Sequence, residues 1–102
     1  MTDATTAFLR ALRDHAGTDF LLSEVRSRSW KSVTFAGARH EASFSIESDD
    51  ADRCADRLLT AFTRGEPQLT GHFLADFRVV SDVRRPGVAL LKVEALTVED
   101  QA

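Results

Sequence analysis

The sequence predicts an α+β fold, a two-layer sandwich in which two helices cover one face of a mainly antiparallel sheet of about five strands. Two segments carry apolar residues at helical spacing, and the stretches between them alternate polar and apolar residues. The length of 102 residues suits a single domain, residues 1–102. The predicted order of elements is α-β-β-β-α-β-β, and the alternation leaves the second face of the sheet to solvent.

The two helices are predicted at residues 4–15 and 49–63. Asp3 suits the N-cap of the first helix, and Gly17 lies just past its end, where a left-handed residue is common. The apolar stripe of the second helix consists of Ala51, Cys54, Ala55, Leu58, Ala61 and Phe62. Gly65 follows this stripe and is expected to end the second helix.

A strand is predicted at residues 19–27 and a β-hairpin at residues 30–47. Gly37-Ala38 suits a two-residue type II′ turn, because glycine tolerates the positive φ that this turn requires. This turn pairs Phe35 with His40 and thereby fixes both faces of the hairpin. The predicted core face consists of Val33, Phe35, His40, Ala42, Phe44 and Ile46. The predicted solvent face consists of Trp30, Ser32, Thr34, Glu41, Ser43 and Ser45.

A second hairpin is predicted at residues 71–83 and 88–98, joined by the three-residue loop Arg85-Pro86-Gly87. This register sets Arg78 opposite Glu94, and opposite charges on facing strand positions stabilise a pairing. The predicted core face consists of Phe73, Ala75, Phe77, Val79, Ala89, Leu91, Val93 and Ala95. The predicted solvent face consists of His72, Leu74, Asp76, Arg78, Lys92 and Glu94.

The composition argues against several classes of protein. With 13 basic and 16 acidic residues the net charge is −3, so a broad nucleic-acid-binding surface is not expected. Cys54 is the single cysteine, which rules out an intramolecular disulfide and disfavours a thiolate metal site. No apolar stretch approaches the ~20 residues that span a bilayer, and the N-terminus does not read as a signal peptide. The sequence therefore predicts a soluble cytoplasmic protein without cofactor or metal.

Three strings of residues carry a resemblance to a known family. They are Trp30-x-Ser32-x-Thr34-Phe35-x-Gly37-x-Arg39-His40, Gly71-His72-x-x-Ala75-Asp76 and Glu94-Ala95-Leu96-Thr97. With them, the chain resembles a small family of uncharacterised bacterial proteins of about 100 residues. The resemblance covers most of residues 28–98. It implies a bacterial cytoplasmic protein and assigns no catalytic residue.

The first functional hypothesis is a non-enzymatic binding module that uses the open sheet face around Trp30. A large aromatic side chain on a solvent-facing strand is expected to be covered, either by its own chain or by a partner. The predicted covering groups of its own chain are residues 84–87 and Arg28. Ser32, Thr34 and Arg39 complete the predicted site. The expected partner is a second copy of the chain or another protein.

The alternative hypothesis is a small-ligand-binding protein or an enzyme. His72, Asp76 and Glu94 are residue types that acid–base chemistry uses, and the predicted register places them on one face, with Arg78 available to bind an anion. His72 and Asp76 are four residues apart on a strand, roughly 13 Å, which is too far for one metal ion. The sequence favours the binding module over the enzyme, because no catalytic motif accompanies these residues.

Overall fold

A computed structural model describes residues 3–101 and has an α+β architecture with two helices and a four-stranded antiparallel sheet. The elements are α1 (Ala4–Ala16), β1 (Leu21–Lys31), β2 (Ala36–Glu47), α2 (Ala51–Thr63), β3 (His72–Arg85) and β4 (Val88–Glu99). The strands are arranged in the order β1-β2-β4-β3. The α+β prediction is confirmed, whereas the prediction of about five strands in the order α-β-β-β-α-β-β is wrong. The order is α-β-β-α-β-β.

Residues 3–101 form four strands and not five, because the first turn lies before Gly37 and not at it. The predicted strand 19–27 continues through Trp30 to Lys31 as one strand, β1, and most of the rest of the predicted first arm forms the turn. The chain reverses over residues 32–35, where the amide of Ser32 donates to the carbonyl of Phe35 over 2.7 Å. The hydroxyl of Ser32 also accepts the amide of Phe35 at 3.0 Å. These short-range bonds close the turn without a glycine.

The displaced turn changes two of the six residues of the predicted core face. Val33 and Phe35 lie in the loop and are 106% and 51% exposed, so their assignment to the core is wrong. The other members, all on β2, are buried as predicted: His40, Ala42, Phe44 and Ile46. The predicted faces of β2 are correct because this strand follows the turn, so the position of the turn does not change its alternation.

Both helices pack against the same face of the sheet. Asp3 caps α1 by accepting the amide of Thr6 at 2.7 Å, and Gly17 ends the helix with a φ of 73°, as predicted. The aromatic ring of Phe8 on α1 stacks on His40, with 5.1 Å between ring centroids, and also meets the edge of Phe62 on α2. Cys54 is buried in the same core. This face is therefore closed by the helices, and the opposite face of the sheet is left open.

Two β-bulges set the register of β3 against β4. The turn consists of Pro86-Gly87 alone, with Arg85 opposite Val88, so the predicted three-residue loop is wrong. An extra residue in β3 between Val79 and Ser81 compensates, and Arg78 lies opposite Glu94 as predicted. A proline followed by a glycine at φ 77° is typical of a type II turn.

The second bulge, between Leu74 and Asp76, exchanges the faces of the residues that precede it. Phe73, predicted in the core, lies on the open face and is 58% exposed. Ala75 is also exposed, and Leu74 packs against the core. His72 joins Leu74 on the helix side of the sheet, which contradicts its predicted place beside Asp76.

Candidate binding surface

The open face of the sheet carries its side chains in rows that cross all four strands. At one end, directly paired positions form a row that we call the aromatic row: Trp30, Gly37, Val98 and Phe73. The indole of Trp30 lies on Gly37, because a Cβ atom added there would be 2.7 Å from Cζ2 of the indole. The same Cβ would collide with the carbonyl oxygen of Thr97. Because Gly37 has no side chain, the indole packs directly on its backbone.

Trp30 is half-buried, and residues 84–87, one of its two predicted covers, do not reach it. Strand β2 of its own chain lies beneath the ring, whereas residues 84–87 form the turn at the far end of β3 and β4. The Nε1 atom of the indole is shielded from solvent and has no hydrogen-bond partner within residues 3–101. Together with Val98 and the exposed ring of Phe73, the indole gives an apolar strip across the full width of the sheet.

The next row, which we call the arginine row, consists of Arg28, Arg39, Leu96 and Asp76. Arg28 and Arg39 are directly paired across β1 and β2, an arrangement of like charges that costs free energy. Neither guanidinium has an ion-pair partner in the described part of the chain. A surface depression of about 350 Å³ lies beside them. Two unneutralised arginines next to an apolar strip favour a ligand or partner with acidic groups.

The third row, the paired row, consists of Arg26, Glu41, Glu94 and Arg78. Arg78 is 2.6 Å from Glu94, and Arg26 is 2.7 Å from Glu24 one row further on. These hydrogen bonds raise the pKa of both arginines. The charges of this row are thus largely neutralised within the chain, in contrast to those of the arginine row.

The remaining open face becomes apolar again toward its far end. The fourth row consists of Glu24, Ser43, Lys92 and Ser81. The fifth row consists of Leu21, Ser45, Leu90 and Val83, and three of these four side chains are exposed hydrophobic groups. The face therefore has apolar ends and a charged centre.

Four of the predicted site residues meet on this face: Trp30, Arg39, Asp76 and Glu94. Ser32 and Thr34 lie in the 32–35 turn, where Ser32 bonds to Phe35 and the carbonyl of Thr34 accepts the side chain of Gln101. His72 lies on the other side of the sheet from Asp76 and Glu94. The alternative hypothesis therefore loses the shared face on which it depended.

Two residues of the face were absent from the predicted site, Arg28 and Phe73. The sequence predicts Arg28 as a cover of Trp30 and not as a site residue, because a turn at Gly37 does not pair Arg28 with Arg39. Phe73 follows a regular alternation with Ala75 and Phe77, so nothing in the local sequence indicates the bulge that exposes it.

The helix side has a groove of about 650 Å³ between the start of α1 and the start of β3. Thr5 and Ser27 line it, and His72 lies at its rim with Nδ1 2.8 Å from the carbonyl of Thr70. The hydroxyl of Thr5 donates to Ser27 over 2.7 Å. Ser27 in turn contacts the buried ring of His40 at 2.7 Å.

The protonation of His40 follows from its partners. Thr97 donates its hydroxyl to the carbonyl of Ala38, so the hydroxyl oxygen accepts from Nε2 of His40 at 2.9 Å. Nδ1 of a neutral ring then accepts the hydroxyl of Ser27. Burial lowers the pKa of His40, and His72 lowers it further, against a weaker opposite effect of Asp3. The chain of hydroxyls thus satisfies both nitrogens of a neutral imidazole and joins β1, β2 and β4.

Comparison of the chain with protein-family models, curated proteins and solved structures found no match. The resemblance to a bacterial family stays a prediction. Within residues 3–101 no group of three or more histidine, cysteine or acidic side chains could hold a metal ion. No helix in that part of the chain is long and apolar enough to cross a membrane.

Proposed function

We propose that this protein is a non-enzymatic binding module whose open sheet face, around Trp30, contacts another protein surface. The observation that carries the proposal is that the aromatic row lies directly beside the arginine row on the open face. An apolar strip that ends in Phe73 is followed at once by Arg28 and Arg39, which no acidic group of the described chain neutralises. Such a combination is typical of protein interfaces, where aromatic residues and arginine carry much of the binding energy.

The charge of the chain favours a protein partner over a nucleic acid. The net charge is −3, and acidic Glu41 and Asp76 lie on the same face as the two arginines. A phosphate backbone would meet these carboxylates along with the arginines, which weakens binding. A protein partner can place acidic groups against the arginines and basic groups against these carboxylates. The cytoplasmic location predicted from the sequence forms part of this proposal.

Site-specific photo-crosslinking in the source cells tests the proposal. A photoreactive benzoylphenylalanine replaces Leu96 on the open face, and the control places it at Arg53, exposed on α2. We expect a discrete crosslinked product from position 96 and none from position 53, with both variants folded by circular dichroism. Equal crosslinking from both positions, or none from position 96, would contradict the proposal.

A further inference from the structure

We infer that the partner of the open face is a second copy of this chain, related by a two-fold axis that runs along the strands between two facing sheets. This inference rests on the proposed function and names its partner. Such an axis places β1 of one copy over β3 of the other, and β2 over β4, while each row faces the same row of the second copy. The dimer is favoured where a row, reversed over the same row of the second copy, sets apolar groups against apolar groups and opposite charges against each other.

The aromatic row complements itself. Trp30 on β1 meets Phe73 of the second copy on β3, and the same contact occurs twice by symmetry. Phe73 is 58% exposed in the single chain, so the contact removes a large apolar group from water. Aromatic pairs of this kind prefer offset or edge-to-face contact, which two large rings on facing sheets reach readily.

The arginine row complements itself in charge. Arg28 of one copy lies over Asp76 of the other, so two ion pairs form across the interface. Arg39 lies over Leu96 of the second copy, against which its methylene stem can pack. The repulsion between Arg28 and Arg39 within one chain is then offset by Asp76 of the second copy. An axis perpendicular to the strands would also give Arg28 an acidic partner, Glu24 of the second copy. It would, however, set Trp30 over Leu21 and Phe73 over Val83, and so lose the contact between the two aromatic rings.

The other rows differ in their contribution. In the paired row Arg26 lies over Arg78 of the second copy and Glu41 lies over Glu94, so like charges face each other. This row opposes association, and the other rows must outweigh it. At the far end Leu21 meets Val83 of the second copy, and both are exposed in the single chain.

The dimensions of the face are sufficient for a stable dimer. Standard strand spacings give a face about 35 Å long and about 19 Å wide. Two such faces bury about 1,300 Å² in total, within the range of about 1,200–2,000 Å² for specific interfaces. Facing sheets pack about 10 Å apart with strands at about 30°.

Sedimentation equilibrium of the purified full chain, from low micromolar to near-millimolar concentration, tests the inference. We expect the wild type to approach twice the chain mass of 11.3 kDa. Arg28→Asp sets Asp against Asp76 of the other copy and should weaken dimerisation by about 10-fold or more. The swap Arg28→Asp/Asp76→Arg restores opposite charges and should recover most of that loss. The matched control Arg10→Asp, exposed on α1, should leave the dimer unchanged.

The outcomes separate this inference from the proposed function. A wild type that stays monomeric, or a swap variant that dimerises no more strongly than Arg28→Asp, overturns the inference. If the chain is monomeric and position 96 crosslinks to a different protein, the inference fails and the proposed function stands. If nothing crosslinks at position 96 and the chain is monomeric, both fail. Circular dichroism of each variant confirms that a lost dimer is not a lost fold.

Discussion

His40 on β2 donates its Nε2 proton to the hydroxyl of Thr97 on β4, with 2.9 Å between the two atoms. The ring is 1% exposed and is covered by Phe8 of α1. Because the Thr97 hydroxyl is already committed to a carbonyl, a proton added to the other ring nitrogen would have to displace the hydrogen bond from Ser27. Burial therefore opposes protonation of His40, and the stability of the fold is linked to pH.

We predict that the free energy of unfolding falls as the pH drops below 6.5. The pKa of His40 is lowered from its ordinary value of 6.5, so between 6.5 and its folded value the unfolded chain binds a proton and the folded chain does not. Stability is complete above pH 6.5 and decreases by up to ~1.4 kcal/mol per pH unit in that interval. Urea unfolding between pH 7.5 and 5 measures the slope.

The controls for this prediction are His15→Gln and His72→Gln, which remove the other two histidines of the sequence. His15→Gln should retain the wild-type slope, and His72→Gln should retain it over a narrower pH interval, because His72 contributes to the lowered pKa of His40. A slope that disappears in either control would assign the pH dependence to that histidine and contradict the role of His40.

Phe44→Ala should lower the free energy of unfolding by about 3–5 kcal/mol. Phe44 is 3% exposed and stacks on Phe20 with 4.3 Å between ring centroids, so its removal leaves a cavity in the core. The matched control is Phe73→Ala on the open face, which should cost under ~1 kcal/mol in the monomer. Urea unfolding at low protein concentration compares them. Equal midpoints for Phe44→Ala and the wild type would refute the assignment of the core face.

Gly37→Ala should be destabilising by about 1–3 kcal/mol or more, because the new methyl group would collide with backbone. The carbonyl of Thr97 cannot move away without separating β2 from β4, and the indole of Trp30 would lose its contact with Gly37. The control, Gly65→Ala, meets no atom within 4 Å and should cost only the strain of its φ of 69°, about 1 kcal/mol. Thermal unfolding gives both values, and a larger cost for Gly65→Ala would contradict this account.

Gly37 also illustrates what the sequence can and cannot predict. A glycine between two alternating segments is typical of a turn, yet here it serves close approach of a ring and a carbonyl inside a strand. The distinction depends on Thr97, sixty residues later in the chain and adjacent only in the folded sheet. The helices were predicted nearly to the residue, because their caps, such as Asp3 and Gly17, are local signals.

The bulges explain the remaining errors of the prediction. A bulge adds one residue to a strand without disturbing the alternation of polar and apolar residues in the sequence. In the structure it moves every residue before it to the opposite face of the sheet. The bulge between Leu74 and Asp76 moved Phe73 to the open face and His72 away from it. The pairing of Arg78 with Glu94 was correctly predicted because charge and hydrophobic pattern both select it. The arginine row follows from strand order, which local patterns do not encode.

Arg84→Met should cost more stability than Arg78→Met. Arg84 bonds Asp82 at 2.6 Å on its own strand and reaches Asp56 at 3.0 Å and Asp52 at 3.2 Å on α2, so it fastens the helix to β3. Its side chain is 26% exposed, whereas that of Arg78 is 68% exposed.

We expect a loss of about 1 kcal/mol for Arg84→Met and clearly less for Arg78→Met. The difference should shrink in about 1 M salt, where ion pairs are screened. Urea unfolding at low and high salt measures it. The reverse order at low salt would show that the contact between α2 and β3 does not depend on Arg84.

The measurement that tests the central claim most directly is the indole N–H signal of Trp30. Trp30 is the only tryptophan, so a ¹⁵N-labelled sample gives a single indole cross-peak. We predict that raising the concentration of the labelled chain to near-millimolar, or adding unlabelled extract of the source cells if the partner is a different protein, shifts or broadens this peak together with the side-chain Nε–H peaks of Arg28 and Arg39. The Nε–H peak of Arg57, bonded to the carbonyl of His15 on the helix side, should stay unchanged. An unchanged indole peak beside a perturbed Arg57 peak would contradict the assignment of binding to the open face.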